Sequence, residues 1–365
     1  MQLSNAERAL AAYEAMQRWL YVADGRSLYR ESHPWSGNPY AYVWPFSRAL
    51  LGTSGLAGMP GGAAYAHDVA DRLAGLERYW NDRARVPAYA SYPMPPLGQG
   101  GDRYYDDNVW LALTFVQLQR MGLVSSLQAA TQLLRFGLTG WDREPRHPQP
   151  GGVFWVEQGV GYGRDNHDRG TGATAGNAEL GYLLGTREAS DEMLGWVQRS
   201  VDASGVGSGP FFNVVRLDGT VDTNVWSYNQ GVMLGTHLAR YRLTSEAADL
   251  RLAEEIARQT LRTFGDFRQH PPSFNAMCFQ SFLHLSSITS DDGLRAAMRG
   301  AADRFADWAW ATETGARDPQ TNLFFFDDAG RPALGKQAAR LQDQGALVQL
   351  YALLAWDPDD YVKLG

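Results

Sequence analysis

Two adjacent carboxylates, Asp106 and Asp107, are the side chains of this sequence best suited to acid–base chemistry. They open an apolar helical segment, within Tyr104-Tyr105-Asp106-Asp107-Asn108-Val109-Trp110. Glycosidases that retain the anomeric configuration hold two carboxyl groups about 5–5.5 Å apart, whereas inverting enzymes need a wider gap for water. Neighbouring helical residues have Cα atoms about 3.8 Å apart, so their carboxyls can reach the shorter separation. The pair therefore favours retaining glycoside chemistry.

The same pair should differ in ionisation, because a charge on one carboxylate raises the pKa of the other. One carboxyl can then attack as an anion while its neighbour keeps a proton to donate. Consecutive acids at a helix start are often only capping residues, favoured by free backbone N–H groups and the helix dipole. Here an aromatic residue precedes the pair and Asn108 follows it, which favours a functional role.

Aromatic residues are abundant, with 12 Trp, 17 Tyr and 15 Phe, and many lie beside glycine, proline, asparagine or aspartate. Aromatic rings pack on the flat C–H faces of sugars, although they also fill cores. We expect Tyr105, Trp155 and Trp226 to be partly exposed around a carbohydrate cleft. The polar segment Tyr228-Asn229-Gln230 begins another apolar helix, where it could hydrogen-bond sugar hydroxyls. The alternative for Asn229 is capping of its own helix.

Apolar residues recur at three- and four-residue intervals through most of the chain, which predicts a mainly helical protein. Two short pieces, 151 to 156 and 211 to 217, alternate like strands. The predicted helices lie near residues 5 to 21, 42 to 56, 61 to 80, 106 to 122, 126 to 139, 170 to 186, 189 to 201, 225 to 242, 245 to 264, 273 to 287, 291 to 311 and 337 to 355.

The predicted helices are of two kinds. Segments 61 to 80, 245 to 264 and 291 to 311 carry charges along one face, as expected for helices with one side in water. Segments 106 to 122, 170 to 186, 225 to 242 and 273 to 287 are apolar nearly all round, as expected for helices buried on both sides. Alternating outer and inner helices predict an all-α (α/α)6 toroid whose inner helices surround a funnel. An open α-solenoid is the competing arrangement, but no fixed repeat period supports it.

Most of the long connections lead from a predicted outer helix into a predicted inner helix. They are residues 22 to 41, 84 to 104, 140 to 169, 202 to 224 and 312 to 336. One face of the ring should therefore collect the loops, and binding groups concentrate on loops held by a rigid scaffold. No linker divides the chain, so residues 1 to 365 are predicted to form one catalytic domain.

The segment around the acidic pair resembles the Tyr-Asp-Asp-Asn-aromatic segment of the family 76 glycoside hydrolases, the endo-α-1,6-mannanases. Ser227-Tyr228-Asn229-Gln230-Gly231 is similar to that family's Thr-Tyr-Asn-Gln-Gly helix start. The turn from Gly151 to Trp155 and the residue Asn177 resemble, more loosely, the region of its third inner helix. Asn275 falls where family members often carry lysine. These matches extend from roughly residue 100 to residue 290.

The resemblance implies an (α/α)6 fold and retaining hydrolysis of α-1,6-mannose linkages without a required cofactor or metal. It implies that Asp106 is the nucleophile and Asp107 the general acid/base. The partner would be an oligo- or polysaccharide of the α-mannan type. We expect sugar contacts from nine residues: Tyr105, Asn108, Trp155, Asn177, Trp226, Tyr228, Asn229, Gln230 and Asn275.

Composition and charge exclude several other functions. The net charge of −7 and the absence of a basic run oppose nucleic-acid binding. No segment reaches the roughly 18 apolar residues of a membrane span. The seven histidines show no metal-ligand spacing, and Cys278 is the single cysteine. Charged residues interrupt the N-terminal helix where a signal peptide would be apolar, which predicts a cytoplasmic protein, or an extracellular one if a leader was removed.

Two other functions remain open from the residues alone. A sugar epimerase or isomerase of the helical-barrel class would need catalytic histidines, for which His167, His237 and His284 are the candidates. A noncatalytic glycan-binding protein would keep the aromatic cleft without turnover.

Overall fold

The computed structural model describes residues 3–157 and 168–365, and twelve α-helices follow one another in these ranges. They are α1 (Asn5–Leu20), α2 (Val43–Ala57), α3 (Ala66–Leu76), α4 (Tyr105–Arg120), α5 (Gln128–Thr139), α6 (Thr171–Leu183), α7 (Arg187–Ser200), α8 (Ser227–Thr244), α9 (Ala247–Phe264), α10 (Pro272–Ser286), α11 (Asp292–Trp310) and α12 (Leu341–Leu354). Each lies within a few residues of a predicted segment, so the prediction of a mainly helical chain is confirmed.

The even-numbered helices form the inner layer and the odd-numbered helices the outer layer. In α6 every residue from Thr171 to Tyr182 is buried, so no side of this helix faces bulk water. In α9, by contrast, the buried residues recur every three or four positions, as at Ala253, Ile256 and Thr260. This is the one-sided burial of a helix that covers a core. The predicted division into inner and outer helices is therefore confirmed.

The inner helices close into a ring in which α2, α4, α6, α8, α10 and α12 each pack against the next, and α12 packs against α2. Two glycines permit the close approach of the first and last inner helices. A Cβ on Gly52 would lie 2.7 Å from the carbonyl oxygen of Gly345, and a Cβ on Gly345 would lie 2.5 Å from the carbonyl carbon of Arg48. The protein is an (α/α)6 ring, as the sequence predicts.

Long loops lead into five of the six inner helices, and short antiparallel strands tie these loops together at one end of the ring. The strands are β1 (Tyr21–Val22), β2 (Leu28–Tyr29), β3 (Ser32–His33), β4 (Trp80–Asn81), β5 (Ala88–Tyr89), β6 (Arg169–Gly170), β7 (Val214–Val215), β8 (Val221–Asp222) and β9 (Ala339–Arg340). Pairing of β3 with β9 joins the loops before α2 and α12, and the sheet β6-β7-β8 joins those before α6 and α8. All six inner helices thus begin at the same end, which we call the mouth.

Two details of the predicted secondary structure differ. The strand-like piece 211 to 217 contains β7, but 151 to 156 makes only isolated bridges, such as that of Val153 with Trp141. The predicted helix 61 to 80 consists of α3 flanked by short 3₁₀ turns, the first of which follows Gly61 with its positive φ of 78°. None of the helices in the described ranges is both long and apolar enough to cross a membrane.

Candidate active site

Asp106 and Asp107 occupy the second and third positions of α4, at the mouth of the ring. The Tyr105 N–H at the start of the helix donates to the carbonyl of Trp155 at 2.9 Å, so the loop before α6 lies directly beside the pair. Both aspartates keep part of their surface exposed to solvent, although the surrounding atoms are dense. The predicted location of the pair, at the mouth of an inner helix, is confirmed.

Asp106 is held in a form suited to negative charge. Its Oδ2 accepts a hydrogen bond from the indole Nε1–H of Trp155 at 3.0 Å, and its Oδ1 accepts one from the backbone N–H of Asp107 at 2.9 Å. Burial raises the pKa of Asp106 above the ordinary value of a carboxyl, and these two hydrogen bonds oppose that rise. Each carboxylate oxygen therefore has one donor, which fixes the group in position.

Asp107 has a different environment. None of the hydrogen bonds among the described residues reaches its carboxyl oxygens. Burial and the adjacent charge of Asp106 raise the pKa of Asp107 well above its ordinary value, and the Arg48 guanidinium lowers it in part. Asp106 is therefore the stronger acid of the pair, and Asp107 holds its proton more tightly. The structure places two carboxyls of unequal acidity on neighbouring residues.

Aromatic side chains surround this pair. The Tyr104 ring lies 5.0 Å from the ring of Trp155, and the Tyr228 ring lies 4.7 Å from that of Phe274. Burial, and after it the charge of Asp106, raises the pKa of the Tyr228 phenol, so α8 brings Tyr228 close to the acidic pair. Trp155, Trp226 and Tyr228 are partly exposed. For Trp155 and Trp226 this exposure confirms the expectation from the sequence.

Five of the six inner helices use the side chain of their fourth residue to bind backbone groups of the loop that leads into the helix. The five residues are Asn108, Thr174, Gln230, Asn275 and Gln344. All five are buried. We call them the loop staples. Their recurrence shows that these polar residues at the mouth serve the architecture of the ring.

Asn108 and Gln230 have no free polar group in this arrangement. The Asn108 amide accepts from Tyr89 N–H and donates to the carbonyls of Tyr89 and Tyr104. Gln230 makes the corresponding three bonds to the backbone around α8, including both groups of Phe211. We therefore assign both residues a structural role. Their predicted contact with sugar has no support in these contacts.

Asn275 and Asn229 are also fully buried. The Asn275 amide donates to the carbonyl of Phe267 at 2.9 Å and accepts from the Ser227 hydroxyl at 2.8 Å, which links the starts of α8 and α10. Asn229 is one of the residues expected to contact sugar, but its side chain lies beside Gly172 of α6, where an added Cβ would lie 3.5 Å from Asn229 Oδ1. Its burial gives that expectation no support.

Tyr105 and Asn177 face the outer layer instead of the funnel. The Tyr105 ring is only 3% exposed, stacks on Phe136 of α5 at 4.6 Å and lies within hydrogen-bond distance of Thr139. The expectation that Tyr105 is exposed at the cleft is therefore wrong. Asn177 is buried against the same outer helix, where a Cβ on Gly137 would lie 1.7 Å from its Oδ1.

The histidines needed by an epimerase do not gather at the mouth in the described ranges. His237 is buried, with its Nδ1 3.0 Å from Asp249 of α9. His284 lies in the last turn of α10, and burial lowers its pKa to about 3. His167 lies outside the described residues. No group of three or more potential metal ligands occurs among residues 3–157 and 168–365.

Arg48 is a residue at this site that the sequence interpretation missed. It lies on α2, is 1% exposed, and is the cation whose charge acts on Asp107. The available signal was a lone arginine in the otherwise apolar segment Pro45-Phe46-Ser47-Arg48-Ala49-Leu50-Leu51. A charged residue inside a fully buried helix is uncommon without a partner or a function.

No family model and no curated protein match this sequence, but solved structures match its fold. A family 76 glycoside hydrolase (mannosidase) from Bacteroides thetaiotaomicron has a TM-score of 0.77 at 22% identity, covering 96% of this chain and 98% of that chain. An inactive variant of an α-1,6-mannanase of Salegentibacter sp., in complex with α-1,6-mannotetraose, has a TM-score of 0.75 at 16% identity, covering 97% and 99%. Dfg5 from Chaetomium thermophilum, in complex with glucosamine, has a TM-score of 0.67 at 13% identity, covering 96% and 90%.

These similarities establish the class of architecture. The chain has the (α/α)6 fold that the family 76 glycoside hydrolases also have, over nearly the whole length of both chains. Because the identities are low, the activity has to be argued from the site itself.

Proposed function

We propose that this protein is a retaining glycoside hydrolase that cleaves α-1,6-mannosidic linkages of mannan or mannose-containing glycans. One observation carries the proposal. At the mouth of the ring, two hydrogen bonds favour the ionised form of Asp106, while the adjacent Asp107 has a pKa raised by burial and by Asp106 and accepts no hydrogen bond from the described residues. Double displacement needs one ionised carboxyl as the nucleophile and one protonated carboxyl as the acid.

The solved relatives support the choice of substrate. The Salegentibacter α-1,6-mannanase was made inactive by changing two consecutive aspartates, and the inactive variants hold α-1,6-mannotriose and α-1,6-mannotetraose. Asp106 and Asp107 are likewise consecutive and lie at the mouth of the same fold. A mannose oligomer or polymer is therefore the substrate that we propose for this chain.

In the first step, an oxygen of Asp106 attacks the anomeric carbon and Asp107 donates its proton to the glycosidic oxygen. The C–O bond to the leaving sugar breaks with its electron pair staying on that oxygen. In the second step, ionised Asp107 removes a proton from water, and the water oxygen attacks the anomeric carbon and releases Asp106. Two displacements restore the original anomeric configuration. Both steps use only these carboxyls, so the proposal includes no cofactor.

The surrounding rings supply the binding part of the site. Trp155 presents a partly exposed ring and fixes Asp106 through its N–H, so a sugar stacked on this ring lies beside the nucleophile. Tyr228 and Trp226 add partly exposed aromatic surface from α8. Aromatic faces bind the C–H faces of a hexose, while the aspartates remain available to the glycosidic bond.

A panel of glycans tests this proposal. The wild-type protein should release new reducing ends from α-1,6-mannan faster than from α-1,2-linked or α-1,3-linked mannans and from glucosamine-containing oligosaccharides. The variant Asp106→Asn should still bind α-1,6-mannotetraose in isothermal titration calorimetry, because its cleft keeps the same shape. Binding without turnover in the wild type would indicate a noncatalytic glycan-binding protein. Conversion of a free sugar without new reducing ends would indicate an epimerase.

A further inference from the structure

The Arg48 guanidinium is buried with few hydrogen-bond acceptors around it. Its Nη1 and Nη2 have no hydrogen-bond partner among residues 3–157 and 168–365, and its Nε donates a long bond of 3.3 Å to the hydroxyl of Ser47. The guanidinium carbon lies 4.4 Å from the ring centroid of Trp44, which provides a cation–π contact. An incompletely paired buried cation destabilises a fold, so its presence calls for a compensating role.

The position of Arg48 relates it to the acidic pair. Arg48 borders a cavity of about 70 Å³ together with Trp110, Thr114 and Gln117 of α4. These three residues follow Asp107 by three, seven and ten positions, so they continue the helix face that carries Asp107. Arg48 on α2 therefore lies against that face from below the mouth.

The charged and titratable groups around Asp107 come from three helices. Among the described residues they are Asp106 on α4, Arg48 on α2 and, next to Asp106, Tyr228 on α8. Asp106 and Tyr228 can each carry only a negative charge or none, so Arg48 is the cation of this group. Its charge acts on Asp107 without a direct ion pair, since none of the salt bridges among the described residues joins these two side chains.

We propose that Arg48 is a positioning residue that acts on Asp107 through its charge and stabilises the carboxylate that forms when Asp107 gives up its proton. This inference rests on the proposed function of Asp107 as the acid. Its separation from Asp107 is part of the role. A direct ion pair would keep Asp107 ionised and remove the proton it has to donate, whereas a more distant cation lowers the pKa of Asp107 by a smaller amount and leaves that proton in place.

A titration of Asp107 tests this inference without using activity. Asp107 would be followed by ¹³C NMR of labelled aspartate carboxyls from pH 4 to pH 10, with Asp107→Asn assigning the signal. In Arg48→Met the midpoint should move up by about one pH unit or more, a roughly tenfold weaker acid. In Arg48→Lys, which keeps the charge, it should lie between those of Arg48→Met and the wild type.

Arg120→Met is the matched control. Arg120 also has a buried nitrogen without a partner, but it ends α4, thirteen residues and so about 20 Å from Asp107. This variant should leave the Asp107 midpoint unchanged. Overlapping Asp107 titrations for wild type, Arg48→Lys and Arg48→Met would overturn the inference, as would an equal shift in Arg120→Met. If Arg48→Met does not fold, Arg48→Lys and Arg48→Gln make the same comparison.

Activity measurements separate this inference from the proposed function. If mannan is a substrate, Arg48→Met should lower kcat on mannan more than on an activated aryl mannoside, whose leaving group needs little protonation, while KM changes little. Equal losses on the two substrates would contradict the assigned role of Arg48. Absence of turnover in the wild type would instead remove the proposed function, whatever the titration shows.

Discussion

The first turns of α4 and α12 are built alike and differ in one respect. Each has an aspartate at its third position, Asp107 and Asp343, followed by a loop staple at the fourth, Asn108 and Gln344. Burial raises the pKa of both aspartates, that of Asp343 to about 6. A buried aspartate followed by a loop staple thus occurs at the start of two inner helices.

The difference lies in how the two carboxyls are paired. Asp343 accepts a hydrogen bond from Arg340 at 2.9 Å, and Arg340 belongs to strand β9 in the loop before α12. Asp107 has no such arginine partner in the part of the chain that the structure describes, and instead has the adjacent charge of Asp106. A buried carboxyl paired with arginine holds a loop in place, whereas one beside a second carboxyl keeps a transferable proton. The comparison therefore separates a structural acid from a reactive one within one architecture.

The largest expected effect is that of removing the nucleophile. Asp106→Ala should lower turnover on every mannoside by on the order of 10⁴-fold or more, because no covalent intermediate can form. Steady-state assays on mannan and on an aryl mannoside measure this loss. Circular dichroism should show that the variant is folded, and substantial residual turnover on either substrate would exclude Asp106 as the nucleophile.

Removal of the acid should have a smaller and more selective effect. Asp107→Ala should slow cleavage of natural mannan by about 10²–10⁴-fold, while the first step on an activated aryl mannoside survives. The second step then lacks its base, so a glycosyl-enzyme should accumulate and appear as one added sugar mass in intact-protein mass spectrometry. Azide, which needs no base, should restore turnover of the aryl mannoside with retained configuration. Wild-type rates on mannan in Asp107→Ala would contradict this assignment.

The smallest effect is on stability, and here the two helix starts can be compared directly. A raised pKa means that the folded protein binds the proton more tightly than the unfolded chain does. The associated stability is present at low pH and is lost as pH rises through the raised pKa. Asparagine does not ionise, so Asp107→Asn does not lose this stability as pH rises. At pH 7 its Tm should therefore exceed that of the wild type by about 2–4 °C, and this difference should shrink towards pH 4.

Asp343→Asn is the matched variant for that experiment. It should gain less stability than Asp107→Asn, because it also weakens the pairing with Arg340, and its kcat on mannan should stay within about twofold of the wild type. Differential scanning calorimetry from pH 4 to pH 8 measures both Tm series. A loss of activity in Asp343→Asn comparable to that in Asp107→Asn would remove the distinction between a structural and a reactive acid.

The ring and the location of the acidic pair could be predicted from the sequence. Burial on one side or on all sides leaves different residue patterns in a helix, so α9 and α6 were recognisable as outer and inner. The acidic pair follows Tyr105, the first residue of an inner helix, and therefore had to lie at its mouth.

The direction of each side chain on an inner helix could not be predicted. A helix that is buried on all sides has apolar residues both towards the funnel and towards the outer layer. Its sequence therefore does not show which residues face the funnel and which face the outer layer. Tyr105 and Asn177 were expected to meet sugar, but both contact α5. Asn108 and Gln230 were misread for a related reason, since an amide at a helix mouth suits a sugar hydroxyl and a loop carbonyl equally well. The readable signal was the recurrence of a polar residue at the fourth position of successive inner helices.

The stereochemistry of the reaction tests the central claim most directly. Proton NMR of an α-1,6-mannooligosaccharide digest, recorded in the first minutes before mutarotation, shows which anomer forms first. If Asp106 and Asp107 act by double displacement, the α-anomer of the new reducing end should appear first and the β-anomer should follow by mutarotation. First appearance of the β-anomer would show a single displacement by water, which would contradict the nucleophilic role of Asp106.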